Sequence, residues 1–175
     1  MPERVDGFDY LKVTVEEDFL SQYRDGYEKF GWRLDENVPT EKSLGKATLH
    51  MKRSRHLVNK VELTRLQQHY EACMEEIRML EASKTSVPTT VSLVCGLVGC
   101  AFLAGSTFAV TAASPVIWLT VLLAIPGLFL WAAAYLCYKP LKRRRIQKVT
   151  PLIEAKYDEA YEVCEKAFRL SHEFS

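Results

Sequence analysis

His69 and Cys73 stand four residues apart, about one helical turn, so an imidazole nitrogen and a thiolate sulfur on one face could share a metal ion. Against that, Cys73 falls in an apolar seam and the sequence offers no second ligand pair, so the expectation is no metal. The other cysteines, Cys95, Cys100, Cys137 and Cys164, show no CxxC spacing and read as reduced structural thiols. His50, His56 and His172, like His69, do not pair with carboxylates in a way that suggests acid–base chemistry. No phosphate loop, dinucleotide fingerprint, HExxH, GxSxG or kinase set occurs, so no catalytic residue and no cofactor is expected.

Three further groups of residues could bind. Tyr27, Phe30 and Trp32 crowd the stretch Asp25-Gly26-Tyr27-Glu28-Lys29-Phe30-Gly31-Trp32. They could stack on a ligand, but a head this small needs large rings for any core, so packing against a sheet is the expectation. Lys142, Arg143, Arg144, Arg145 and Lys148 form a basic run that could hold anionic lipid headgroups. The simpler expectation is that they set membrane orientation. Gly96, Cys100 and Ala104, with Ala101 and Gly105, recur every four residues and would let another helix approach closely, either the second span of this chain or a second copy.

All of these hang on one long apolar stretch. Between Lys84 and Lys139 there is no Asp, Glu, Lys, Arg or His. A single helix of that length would run roughly 80 Å, whereas a bilayer core is about 30 Å thick. Two crossings joined by a short turn fit, with spans near 89–112 and 115–136 and the turn at Ala113-Ser114-Pro115, where Pro115 suits a first helical turn. Basic residues flank the hairpin's open end and are missing from its turn, which places both termini in the cytoplasm. Neither span carries an ionisable residue, which argues against a transporter or channel. A net charge of +1 excludes nucleic-acid binding driven by bulk charge, and the charged 26% of residues lies outside the hairpin.

Around this anchor the sequence divides into a head at 1–56, a stalk helix at 57–86, the transmembrane hairpin at 87–138 and a basic segment with a C-terminal helix at 139–175. In the head, Leu11, Val13 and Val15 alternate with polar residues as a strand, and Thr14 with Glu17 suggests a capping box opening a helix. Trp32-Arg33-Leu34 leads a second strand. Ala47, Leu49 and Met51 mark a third, after a polar connection at 40–45. The fold class is thus a membrane protein with a two-helix hairpin, a small α+β head in β-α-β-β order and an antiparallel helical stalk. Leu63, Leu66, Tyr70, Cys73, Ile77 and Leu80 form one stalk seam, and Ile153, Tyr157, Ala160, Cys164 and Ala167 the other. If Lys84 and Lys139 lie level, Cys73 faces Thr150, and the bases near Arg55 face the acids near Glu162.

The layout, together with the DGYEKFGW stretch, resembles small bacterial two-span membrane proteins with a cytoplasmic β-α-β-β head. The resemblance implies a bacterial plasma-membrane location, carries no activity and transfers no functional residue. The expected function is a membrane-anchored cytoplasmic interaction or regulatory module, with lipid and a protein partner or second copy as its partners. A subunit assembled through its spans is the alternative, and an enzyme with an unrecognised site in the head is the third reading.

Overall fold

The computed structural model describes residues 7–55, 57, 59–111 and 117–172. The expected turn at Ala113-Ser114-Pro115 lies outside them, as does His56. The described chain forms two compact units, one from Met1–Glu76 with Lys156–Ser175 and the other from Ile77–Ala155.

The first unit opens with strand β1 (Phe8–Glu16), a 3-10 turn (Glu17–Phe19) and helix α1 (Leu20–Lys29). Short strands β2 (Arg33–Leu34) and β3 (Glu41–Ser43) precede the long strand β4 (Lys46–Ser54). β4 is the centre of an antiparallel sheet, with β1 along one edge and β2 and β3 along the other. Alternate residues of β4, namely Ala47, Leu49, Met51 and Arg53, are buried, as a pleat with one covered face requires. The head therefore has one strand more than the β-α-β-β reading. β3 lies in the segment read as a polar connection, and Leu44 and Gly45, with φ of 50° and 74°, turn it directly back into β4. Two successive residues at positive φ make the two-residue turn whose twist matches an antiparallel ladder.

The expected Thr14 cap is not used. Thr14 stays in β1, pairs with Thr48 and shares a hydroxyl hydrogen bond of 3.0 Å with it, because the ladder continues to Glu16. α1 holds Asp25 and Gly26 within its length. It ends at Gly31, whose φ of 81° lets the Trp32 N–H donate to the Tyr27 carbonyl and the Gly31 N–H to the Glu28 carbonyl. That pair of bonds satisfies the last carbonyls of the helix.

Two long helices complete the chain: α2 (Lys60–Thr111) and α3 (Ile117–His172). Asn59 precedes α2 at φ 60° and accepts the Leu63 N–H through its backbone carbonyl at 3.0 Å. Each helix passes through prolines without a break, α2 at Pro88 and α3 at Pro126, Pro140 and Pro151. The stalk helix and first span are thus one element, and the C-terminal helix continues the second span.

In the second unit both helices are long and apolar enough to cross a membrane, each with a mean hydropathy of 2.1 over its most apolar window. They approach at glycines. A β-carbon on Gly99 would lie 3.0 Å from the Gly127 carbonyl oxygen and 3.2 Å from the Trp131 nitrogen. Ser106 donates to the Thr120 carbonyl at 3.1 Å. Thr107 and Thr111 return their hydroxyls to carbonyls of their own helix, the usual way for such groups to be satisfied without water. Of the small-residue face expected from sequence, Gly105 meets the Leu123 side chain, Gly96 has nothing within 4 Å, and Cys100, Ala101 and Ala104 are exposed. The intrachain contact runs instead along Gly99, Leu103 and Ser106.

Candidate functional site

Two arrangements in the first unit gather chemically competent side chains. The first explains the aromatic stretch. Trp32 Nε1 donates to Gln67 Oε1 at 2.8 Å, Gln67 Nε2 donates to Glu71 Oε1 at 2.8 Å, and Tyr27 Oη donates to the same oxygen at 2.6 Å. Gln67 and Glu71 are one turn apart on α2, so a single helix face receives both ends of the chain. Tyr27, Phe30 and Trp32 are all buried. Tyr70 packs against two of them, its ring 6.3 Å from that of Tyr27 and 5.6 Å from that of Phe30. Burial, then the Glu71 carboxylate, pushes the Tyr27 phenol well above its ordinary range. Arg53 lies 4.3 Å over the Trp32 ring and is itself buried, which lowers its pKa. These rings dock the head onto α2, a helix, where packing against the sheet was expected.

The second arrangement lies between α2 and α3. His69 Nε2 is 2.8 Å from Glu159 Oε1. The ligand atoms of His69, Cys73 and Glu159 all lie within 4.8 Å of one another. Lys156 Nζ holds the second oxygen of Glu159 at 2.9 Å and Glu76 at 2.9 Å. Its two carboxylate neighbours, Glu76 first, raise the Lys156 ammonium above its usual range. Lys156, then His69, lowers the Glu159 carboxyl. Burial, and then Glu159, raises the Cys73 thiol. Cys73 is only 2% exposed, whereas the His69 and Glu159 side chains are about half and two-fifths exposed. The group therefore has a dry sulfur on one side and an open edge on the other.

Sequence reasoning found two members of this group and missed Glu159, because its register was wrong. The antiparallel direction of α2 and α3 holds within each unit: His69 pairs with Glu159 and Glu76 with Lys156 in the first, and Ser83 with Arg145 in the second. Relative to the expected register the helices slip by roughly five to nine residues, about one and a half to two and a half turns. Cys73 accordingly faces Glu159 rather than Thr150. The expected charge pairing also gives way. Arg55 and Lys60 bind Asp9 on β1, Lys52 binds Asp35, and Glu162 and Glu165 pair along their own helix with Lys166 and Arg169.

Beside this group is a small cavity of about 200 Å³, bordered by Gln22, Tyr70, Met74, Tyr157, Tyr161 and Cys164. It falls short of the ~300 Å³ typical of small-molecule sites. Burial pushes the Cys164 thiol up to about 11, which leaves it protonated and unreactive at neutral pH. In the second unit, Arg143, Arg144 and Lys148 are exposed, Lys142 is half-buried, and Arg145 donates to Ser83 Oγ at 3.3 Å. No protein-family model, curated protein or solved structure matches the chain.

Proposed function

We propose that this chain is a membrane-anchored interaction or regulatory module, its two apolar segments crossing a bacterial plasma membrane and its α+β head and both termini on the cytoplasmic side. One observation carries the reading. Only 11% of the most apolar window of α2 and 6% of that of α3 is buried within the protein. The core helix of a water-soluble protein covers its apolar surface, whereas these leave Leu93, Leu97, Phe108, Ile125 and Phe129 exposed. Contiguous apolar surface of this kind needs lipid or protein to cover it. The exposed bases Arg143, Arg144 and Lys148 support the orientation and have the charge that anionic headgroups would attract.

A second reading, assembly of copies through the spans, is favoured by the small-residue face of Gly96, Cys100, Ala101 and Ala104, which the intrachain contact leaves open. Membrane fractionation tests the anchor. Washing with alkaline carbonate should leave the chain in the membrane pellet and mild detergent should release it. Release by carbonate alone would contradict integral insertion. Light scattering on the same detergent extract distinguishes one copy from several.

A further inference from the structure

We propose that His69, Cys73 and Glu159 form a binding site for a borderline divalent cation of the zinc type, joining α2 to α3 within the first unit. The donor set carries the chemistry. An imidazole nitrogen, a thiolate sulfur and a carboxylate oxygen are the three ligand types zinc takes, and the nitrogen and sulfur disfavour calcium and magnesium. The spacing fits as well. Tetrahedral bonds of about 2.0–2.3 Å put ligand atoms roughly 3.3–3.7 Å apart. The three atoms here already fall within 4.8 Å, the His69–Glu159 pair at 2.8 Å. Seating an ion requires that pair to open by about half an ångström. Both side chains are partly exposed and have room to do so.

Local charge suits a dication. Binding releases the Cys73 thiol proton to solvent, and the resulting thiolate and the Glu159 carboxylate together balance the two positive charges. Glu159 would ligate through Oε1, the oxygen that now meets His69. Its other oxygen stays with Lys156, whose own charge is matched by Glu76. Lys156 thus orients the ligating carboxylate from behind, as outer partners do in metal sites. The exposed edge beside His69 leaves a fourth position for water.

The site joins residues one turn apart on α2 to a residue on the antiparallel α3, so an ion there would clamp the two helices against each other. The test uses the full chain in mild detergent under reducing conditions, titrated with Co(II) and then Zn(II). The expected result is one Co(II) per chain, a thiolate-to-cobalt charge-transfer band that Zn(II) abolishes, and release of about one proton. Cys73→Ser should remove the band. His69→Ala and Glu159→Gln should each weaken binding by more than about tenfold, and Cys164→Ser should change nothing. His69 is half-exposed, so its variant should keep the fold even if Cys73→Ser disturbs the buried seam. No band in the unmodified chain, a band that survives Cys73→Ser, or equal affinity in the His69 and Glu159 variants would overturn the site and leave only an ion pair over a core cysteine.

Discussion

Gly26→Ala is expected to destabilise the head by about 3–5 kcal/mol, close to the cost of emptying a large aromatic site in a core. A β-carbon at this position would sit 2.2 Å from Tyr70 Oη and 2.3 Å from its Cζ. Neither partner can step aside cheaply. Gly26 is in the middle of α1, and Tyr70 is 3% exposed and donates to the Gln22 carbonyl at 2.9 Å. The ring would have to leave the cluster that ties α1 to α2, taking its packing on Tyr27 and Phe30 with it. Urea unfolding of the full chain in mild detergent, followed by Trp32 fluorescence with Trp118 and Trp131 replaced by Phe, should show a clearly lowered midpoint. Tyr70→Ala should cost a similar amount, and combining the two should add little, since one clash cannot be relieved twice. An unchanged midpoint for Gly26→Ala would mean that α1 does not sit on Tyr70.

Within the second unit, Gly99→Leu should be the most damaging glycine replacement. Its new β-carbon meets backbone atoms, the Gly127 carbonyl and the Trp131 nitrogen, which move only if the helices part. Overpacking of this kind costs about 1–3 kcal/mol, and loss of close backbone approach adds to it in a lipid environment. Gly105→Leu should cost less, because the nearest atom at 2.8 Å is the end of the flexible Leu123 side chain. Gly96→Leu should be nearly silent for the intrachain contact, because nothing lies within 4 Å of its β-carbon position. Thermal midpoints in detergent should fall in the order Gly99, Gly105, Gly96, with Gly99→Leu the lowest. Equal midpoints for Gly99→Leu and Gly96→Leu would place the helix contact elsewhere.

These two glycines also show how far the sequence could be read. The apolar stretch that holds Gly99 was legible as two long apolar helices because the absence of charge needs no tertiary information. Which small residues face the partner helix was not legible, since several small-residue stripes share the same spacing and only the rotation of the helix chooses among them. In the head, alternation revealed β1 and β4. β3 was missed because Glu41, Lys42 and Ser43 are all exposed and carry no apolar pattern. Nothing in the sequence around Gly26 shows its role, which is to leave space for a ring more than forty positions away. The register of α2 against α3 was the costliest omission. Charges were used to set it, yet exposed pairs are worth at most about 1 kcal/mol each, and Asp9 and Asp35 in the head compete for the same bases. The apolar seams were read more truly: Leu63, Tyr70, Cys73, Ile77, Ile153, Ala160 and Ala167 are all buried, and Met74 and Val163, absent from those seams, are buried with them. Glu159 lies about two and a half turns past Thr150, the residue expected opposite Cys73, so the wrong register hid it.

Topology is tested most directly by single cysteines in an otherwise cysteine-free chain, placed at Leu44 in the β3–β4 turn, at Ser114 between the two apolar segments and at Tyr161 on α3. Leu44 and Tyr161 are well exposed, so labelling there reports on the membrane rather than on burial. With a membrane-impermeant maleimide on intact bacterial cells, a two-span hairpin with a cytoplasmic head gives reaction at position 114 alone, and positions 44 and 161 react only after permeabilisation. Reaction at 44 or 161 in intact cells, or protection of 114 until the membrane is opened, would contradict it.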